Sequence, residues 1–314
     1  MLSRVADSLY WMSRYLERVE NTARLIGVNH NYILDSVPEE KRPKRLAEVI
    51  HSLDLEETAS PDLGMETLFK RLTFDMEETG SIVQAITFAR ENARNVRELI
   101  SSEMWTQINR LYLSITQANP DEIWNDQPHT FYKDIIEGVY LFQGITDGTM
   151  NHSQGWHFIQ IARYLERLVA LTKLLETLYP NDIVMAEVMP KHFFRHAAAL
   201  KSVSAFEGYC KVYTADLQPQ WVVEFLLFNK EFPRSAAFSV NQIQKSLNKL
   251  ADMTGKSSNH RLHQQAGQLF ATLHYSDMSD MLEPNFSDYL ASVKLKAYRL
   301  HDTIYKTYID YGVE

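Results

Sequence analysis

The pentapeptide Arg-Tyr-Leu-Glu-Arg occurs twice in this chain, at residues 14–18 and again, 149 residues later, at residues 163–167. Around each copy, apolar residues recur at alternating spacings of four and three. The first stripe is Val5, Leu9, Met12, Leu16, Val19, Ala23 and Ile26, and the second is Phe158, Ile161, Leu165, Leu168, Thr172 and Leu175. A stripe of this period lets one helix pack lengthwise against another at a shallow angle. The repeat therefore predicts two related long helices in one all-α chain.

The rest of the sequence also favours helices. Glycine and proline are sparse, with 11 and 10 residues among 314, which is typical of long uninterrupted elements. Alternating runs of β-branched residues, which would indicate strands, are nearly absent. We expect an all-α bundle of about ten helices. The predicted segments are 2–34, 65–78, 80–101, 103–117, 135–142, the second repeat helix up to 179, 189–214, 219–228, 233–253, 258–275 and 285–311, with a short helix within 35–61.

The sequence predicts a single domain, 1–314, built of two related helical halves, about 1–118 and 150–314, joined by 119–149. The net charge of −8 disfavours nucleic acid or an anionic membrane as the main partner. No stretch approaches the roughly 18 apolar residues of a membrane span. The single cysteine, Cys210, excludes an internal disulfide. With no signal region at the start, we expect a cytoplasmic protein.

The charged residues of the repeat lie opposite the apolar stripe, given a rotation of about 100° per residue. This charged face consists of Arg14, Glu17, Arg18, Asn21 and Arg24 in the first helix, and of Arg163, Glu166, Arg167 and Lys173 in the second. One interpretation is a solvated face with weak ion pairs three or four residues apart. The other is a face that is covered by helices or lines a cleft, where arginine bridges carboxylates and carbonyl groups. Verbatim repetition keeps the second interpretation open beside the first.

A third charged segment carries Arg90, Glu91, Arg94 and Arg97, three of them arginines that share one face of a predicted helix. These arginines are expected either to meet those of the repeat around an anionic ligand or to pair with the chain's own glutamates. Arg234, in the first turn of the predicted helix 233–253, is a further candidate for anion binding, because free N–H groups at a helix start attract anions.

Motifs of known chemistry are otherwise sparse. His192 and His196 have a spacing that suits one metal ion, but the segment lacks the glutamate of the zinc-protease motif. The repeat glutamates lack the Glu-x-x-His pairs typical of carboxylate di-metal sites. We predict neither a metal ion nor a cofactor. If the chain is a catalyst, Glu17, Glu91 and Glu166 are its candidate general bases beside anion-binding arginines.

Along its whole length the sequence resembles the bacterial alpha-E domain proteins. The resemblance is carried by Met-Leu-Ser-Arg (1–4), Tyr-Trp-Met-Ser (10–13) before the first repeat, Glu-Asn-Thr-Ala-Arg (20–24), Ala-Arg-Glu-Asn-Ala-Arg (89–94), Val-Arg-Glu (96–98), Ser-Ser-Glu-Met-Trp (101–105), Gly-Trp-His-Phe (155–158) before the second repeat, Ser-Ala-Phe-Glu (204–207), Tyr209, Tyr213, Val-Glu-Phe-Leu-Leu-Phe (223–228) and Phe-Pro-Arg-Ser (232–235). One position departs from symmetry, because Val169 in the second copy matches Glu20 in the first.

The resemblance implies a helical protein that acts with an ATP-grasp-type ligase, and with a transglutaminase-like protein, encoded nearby. We expect an accessory or binding component of a peptide-ligating or peptide-modifying system, whose Arg/Glu faces bind an anionic intermediate or the ligase. One alternative is an enzyme in its own right, with a glutamate as general base. Another is a purely structural scaffold. Assembly into a homo-oligomer stays open.

Overall fold

The computed structural model describes residues 1–53, 64–126, 128–180, 193–255, 260–278, 281 and 285–310. These residues contain fourteen α-helices and no strand, so the all-α prediction is confirmed. The helices are α1 (Ser3–Ser36), α2 (Arg42–Ser52), α3 (Met65–Phe74), α4 (Ile82–Asn95), α5 (Ser102–Thr116), α6 (Pro120–Asn125), α7 (Pro128–Thr149), α8 (Gln154–Leu178), α9 (Phe193–Ser202), α10 (Phe206–Tyr213), α11 (Pro219–Phe228), α12 (Ala236–Thr254), α13 (His260–His274) and α14 (Phe286–Ile304). Two 3-10 turns, Glu39–Lys41 and Arg97–Leu99, precede α2 and follow α4, and a π-helical turn, Tyr305–Ile309, follows α14.

Several helix starts are fixed by a capping side chain. Ser81, Ser101, Ser235 and Asn285 each accept a hydrogen bond from the backbone N–H three residues later, at the starts of α4, α5, α12 and α14. Such caps satisfy one of the N–H groups that the first turn of a helix leaves without a partner.

The main difference from the predicted segments lies in 189–214. The described part of this segment is not one helix, because α9 ends at Ser202 and α10 begins at Phe206. Between them Ser204 has a φ of 53°, a left-handed conformation that a continuous helix cannot contain. The predicted connection 119–149 holds α6 and most of its length forms α7.

The chain divides into two compact units. The N-terminal unit is Asp7–Ile159, and the C-terminal unit is Met1–Ala6 with Gln160–Glu314. In the first, α3 packs on α4, α4 on α5 and α5 on α7; in the second, α11 packs on α12, α12 on α13 and α13 on α14. From Leu9 onward every member of the first apolar stripe is buried, and so is every member of the second. Both stripes, apart from Val5, are therefore part of the buried core.

Helix α5 buries one face in the N-terminal unit and leaves a neighbouring stripe of residues half-buried. Its residues Met104, Ile108, Leu111 and Ile115 are buried against neighbouring helices. A hydrogen bond from Gln107 Nε2 to the Gly138 carbonyl, 2.9 Å long, fixes α5 on α7. The adjacent stripe, Trp105, Asn109 and Tyr112, is half-buried. Because these three residues are four and three positions apart, they lie along one face of α5.

A small apolar cavity of about 20 Å³ lies between α1, α2 and α3 of the same unit, and its lining includes Ile33, Phe69 and His30. The His30 ring stands edge-on to Trp124, with 5.3 Å between ring centroids. Burial lowers the pKa of His30 from its ordinary 6.5; a hydrogen bond with Asn31 opposes this, while nearby His129 adds to it. The folded chain therefore favours the neutral imidazole.

Acidification is expected to destabilise the N-terminal unit through His30. The unfolded chain binds more protons than the folded one between the lowered folded pKa and 6.5, so stability falls as the pH drops through that window. Urea unfolding at pH 5 to 8 should show that wild type loses stability relative to His30→Gln toward low pH. His51→Gln, at an exposed histidine of α2, should keep the wild-type profile. Parallel profiles for wild type and His30→Gln would exclude this role.

Candidate functional site

The charged face of the first repeat is largely buried. Arg14 and Glu17 expose only 4% and 3% of their surface, and Glu20 exposes none. Arg18, Asn21 and Arg24 are half-buried. In the second copy Glu166 and Arg167 are buried, while Arg163 and Lys173 are half-buried. Of the two interpretations open from the sequence, the solvated face is therefore wrong for both copies.

Both copies of the pentapeptide make the same internal contact. The guanidinium of Arg18 lies 5.4 Å from the ring centroid of Tyr15, and that of Arg167 lies 5.3 Å from the ring centroid of Tyr164. Residues three apart on a helix are surface neighbours, and a guanidinium over an aromatic ring is attracted by the ring's quadrupole. The tyrosine and the last arginine of the pentapeptide thus act as a pair in each unit.

The first copy continues into a polar cluster with α7 in the N-terminal unit. Gln143 Nε2 lies 3.4 Å from Glu17 Oε2. Arg24 Nη2 lies 2.6 Å from Glu20 Oε1 and donates to the Tyr140 hydroxyl, also at 2.6 Å. These contacts fix the register of α1 on α7. Tyr140 and Gln143 were not predicted, because nothing in the sequence ties them to a helix more than a hundred residues earlier.

The second copy holds a different partner in the C-terminal unit. Arg167 Nη1 donates to the Pro233 carbonyl over 3.1 Å. Pro233 was predicted to begin a helix, with Arg234 in its first turn, but α12 begins at Ala236. Ser235 is the cap, since its Oγ accepts from the Phe238 N–H and donates to the Asn229 carbonyl. Arg234 therefore precedes the helix.

The third charged segment forms a row of alternating arginines and aromatic rings on the N-terminal unit. The Arg97 guanidinium lies 5.3 Å from the Trp105 ring centroid, and that of Arg90 lies 5.6 Å from the same ring and 4.6 Å from Tyr112. Arg90 Nε also donates to Asn109 Oδ1 at 2.7 Å. We call Arg97, Trp105, Arg90 and Tyr112 the arginine–aromatic ladder. Its arginines, and likewise its aromatic residues, are seven positions apart.

Two further charges border the ladder. Glu91 Oε1 lies 3.5 Å from Arg90 Nη1, and Glu91 Oε2 pairs with Arg94, whose side chain is 62% exposed. The three arginines were predicted on one helix, but α4 ends at Asn95 and Arg97 belongs to the following 3-10 turn. Arg97 is exposed. The ladder thus combines rings that are half-buried with cationic groups that reach solvent.

The candidate residues therefore fall into separate groups. Glu17 contacts α7, Glu166 lies buried in α8, and Glu91 is half-exposed between Arg90 and Arg94. His196 is buried, with Nδ1 3.1 Å from the Leu217 carbonyl, while His192 lies outside the described residues. In the part of the chain that the structure describes, no helix is long and apolar enough to span a membrane.

Comparison with known proteins gives a full-length match. The Alpha-E family, described as a predicted alpha-helical domain with a conserved ER motif, matches residues 1–309. The chain belongs to the Alpha-E family. Its sequence contains Glu-Arg twice, at 17–18 and 166–167, both times inside the pentapeptide. In this Alpha-E chain the glutamate of each Glu-Arg pair is buried, and the guanidinium of the arginine lies over the tyrosine ring of the same pentapeptide.

Relatives of this Alpha-E chain are found in mycobacteria. Uncharacterised proteins of Mycobacterium bovis and Mycobacterium tuberculosis are each 23% identical to it over 322 aligned positions. The alignments cover 92% of this chain and 35% of each relative, so the chain spans about a third of the length of the curated relatives it matches. No solved structure matches the chain.

Proposed function

We propose that this Alpha-E chain is a helical accessory component of an ATP-grasp-dependent peptide-ligating or peptide-modifying system, and that it binds its ligase partner through the arginine–aromatic ladder. The ladder is the observation that supports binding. It places exposed Arg97 over the half-buried ring of Trp105, and exposed Arg94 pairs with Glu91 next to Arg90. The ligase partner follows from the family resemblance, and the anionic chemistry of the contact follows from the arginines.

The ladder is suited to binding because its groups are already ordered. Arg90 is held by Tyr112, Trp105 and Asn109, so its side chain loses little further freedom when a partner arrives. Tryptophan, tyrosine and arginine are the residue types that most often dominate binding energy at protein interfaces. The repeat arginines are less suited to this task, because Arg14 is buried and Arg167 is engaged with Pro233.

A catalytic role has one specific observation in its favour. Glu91 is the candidate base with a substantially exposed side chain, 38%, and it lies beside Arg90 and Arg94. A general base must reach a substrate proton, and Glu91 meets this condition better than buried Glu17 or Glu166. Glu91→Gln separates the two functions: an accessory role predicts that product formation persists, whereas loss of product with intact ligase binding would favour catalysis.

Charge reversal at Arg97 is expected to weaken recovery of the ligase. The full chain would be purified with the proposed ATP-grasp-type ligase partner, as wild type, Arg97→Glu and Arg110→Glu. Arg110 is an exposed arginine of α5 outside the ladder, so it controls for the change in net charge. Arg97→Glu should lower recovery at least about tenfold, which corresponds to about 1.4 kcal/mol. Equal recovery with both variants, or no ligase with wild type, would contradict the proposal.

A further inference from the structure

Glu91 shows what kind of group Arg90 of the ladder and the neighbouring Arg94 hold. Its carboxylate offers one oxygen to Arg90 and the other to Arg94. The planar fork of arginine matches the geometry of a carboxylate, and such charge-assisted contacts are stronger than neutral hydrogen bonds. The chain's own side chain therefore occupies the carboxylate position between these two arginines.

Arg97 is the member of the ladder with an open donor edge. Among the described residues its contact is with the Trp105 ring, and it makes no hydrogen bond or ion pair there. A guanidinium stacked on a ring presents its N–H groups at the edge of the plane. Arg97 can thus receive a carboxylate from outside the chain while Trp105 keeps the guanidinium in place.

We infer that the ladder binds an acidic peptide segment of the partner protein, with an Asp or Glu carboxylate on Arg97 and the adjoining carbon chain against Trp105. This inference rests on the proposed function, since it names the chemistry of the partner at the same surface. Trp105 supplies apolar area for the peptide, and Arg97 supplies the charge that selects an acidic residue.

A single peptide carboxylate suits the ladder better than a phosphate-rich polymer. Glu91 already pairs with Arg90 and Arg94, so the guanidinium of Arg97 is the main group left to bind an anion from outside the chain. Phosphate sites in proteins draw on several donors, often with the N–H groups of a helix start. The net charge of −8 would also repel a long polyanion. A short acidic segment can be bound by the local positive charge of Arg97 alone.

A labelled tetra-glutamate peptide tests this inference on the full chain. Fluorescence anisotropy should show binding of this peptide but not of a tetra-glutamine peptide with the same label. Arg97→Gln should weaken binding at least tenfold. Arg97→Lys should weaken it too, because lysine keeps the charge but cannot donate two parallel hydrogen bonds to one carboxylate. Arg110→Gln is the matched control and should stay within twofold of wild type. Trp105→Leu should also weaken binding, with its thermal midpoint checked beside wild type.

The outcomes separate this inference from the proposed function. No binding by wild type, equal binding of tetra-glutamine, displacement by inorganic phosphate at the peptide's own concentration, or equal effects of Arg97→Gln and Arg110→Gln would each overturn the inference. If the ligase is still recovered in such a case, the accessory role stands and another face binds it. If tetra-glutamate binds at the ladder but wild type recovers no ligase, the accessory role fails and the acidic-peptide site stands.

Discussion

Replacing Glu20 by alanine is expected to lower the free energy of unfolding of the N-terminal unit by about 3–5 kcal/mol. Glu20 is fully buried, and its Oε1 lies 2.6 Å from Nη2 of Arg24, whose side chain is 11% exposed. Arg24 also donates to the Tyr140 hydroxyl. Without the carboxylate, a nearly buried guanidinium loses its opposite charge. Urea unfolding followed by far-UV circular dichroism at pH 7 measures the change.

The chain offers a matched control for this experiment. Lys133 and Glu137 are also four residues apart and lie 3.7 Å from each other, but their side chains are 62% and 61% exposed. Glu137→Ala should change the free energy of unfolding by at most about 0.5 kcal/mol. Changing both partners, Glu20→Leu with Arg24→Met, should recover much of the loss, because neither charge of the pair is then left without the other. Similar effects of Glu20→Ala and Glu137→Ala would contradict a buried, stabilising pair.

Shortening the central leucine of either repeat is the second change with a large expected effect. Leu16 and Leu165 are 3% and 1% exposed. Leu→Ala at such positions removes buried methyl groups and leaves a cavity, which costs about 2–5 kcal/mol. Leu16→Ala should speed hydrogen exchange chiefly in the N-terminal unit, and Leu165→Ala chiefly in the C-terminal unit, because each residue lies in the unit named. Hydrogen exchange with mass spectrometry locates the loss.

Leu34→Ala is the control for the leucine series, since Leu34 is 51% exposed in the same helix as Leu16. Its effect should stay within about 0.5 kcal/mol. If Leu34→Ala destabilises as much as Leu16→Ala, the apolar stripe is not what anchors α1.

Elements with a clear periodicity and a clear start were predictable from the sequence. The apolar stripe identified α1, and Pro219 in the first turn identified α11 to the residue. The start of α12 was misplaced because Pro233 and Ser235 both suit a helix start, and the contacts of Ser235 with Asn229 and Phe238 decide between them. Those contacts depend on how the preceding turn folds, which local sequence does not specify.

The candidate site was predictable only in part. The sequence indicated Arg90, Arg94 and Arg97, but it did not single out Trp105 or Tyr112 as part of a site. Arg90 and Arg97 are seven residues apart, and so are Trp105 and Tyr112. This shared spacing is the signal that could have linked the arginines to the aromatic residues. Burial of the repeat's charges was not predictable, since a charged face looks the same in sequence whether water or protein covers it.

The most direct test measures which arginines of the folded chain react with an arginine-selective dicarbonyl reagent, with and without the proposed ATP-grasp-type partner. The charged residues of the first repeat lie largely inside the fold, and the proposed binding surface is the ladder. Arg94 and Arg97 should therefore react in the free chain, the partner should slow the reaction of Arg97 at least about tenfold, and Arg14 should stay unmodified throughout. Reaction of Arg14 as fast as Arg97, or an Arg97 rate unchanged by bound partner, would contradict this assignment.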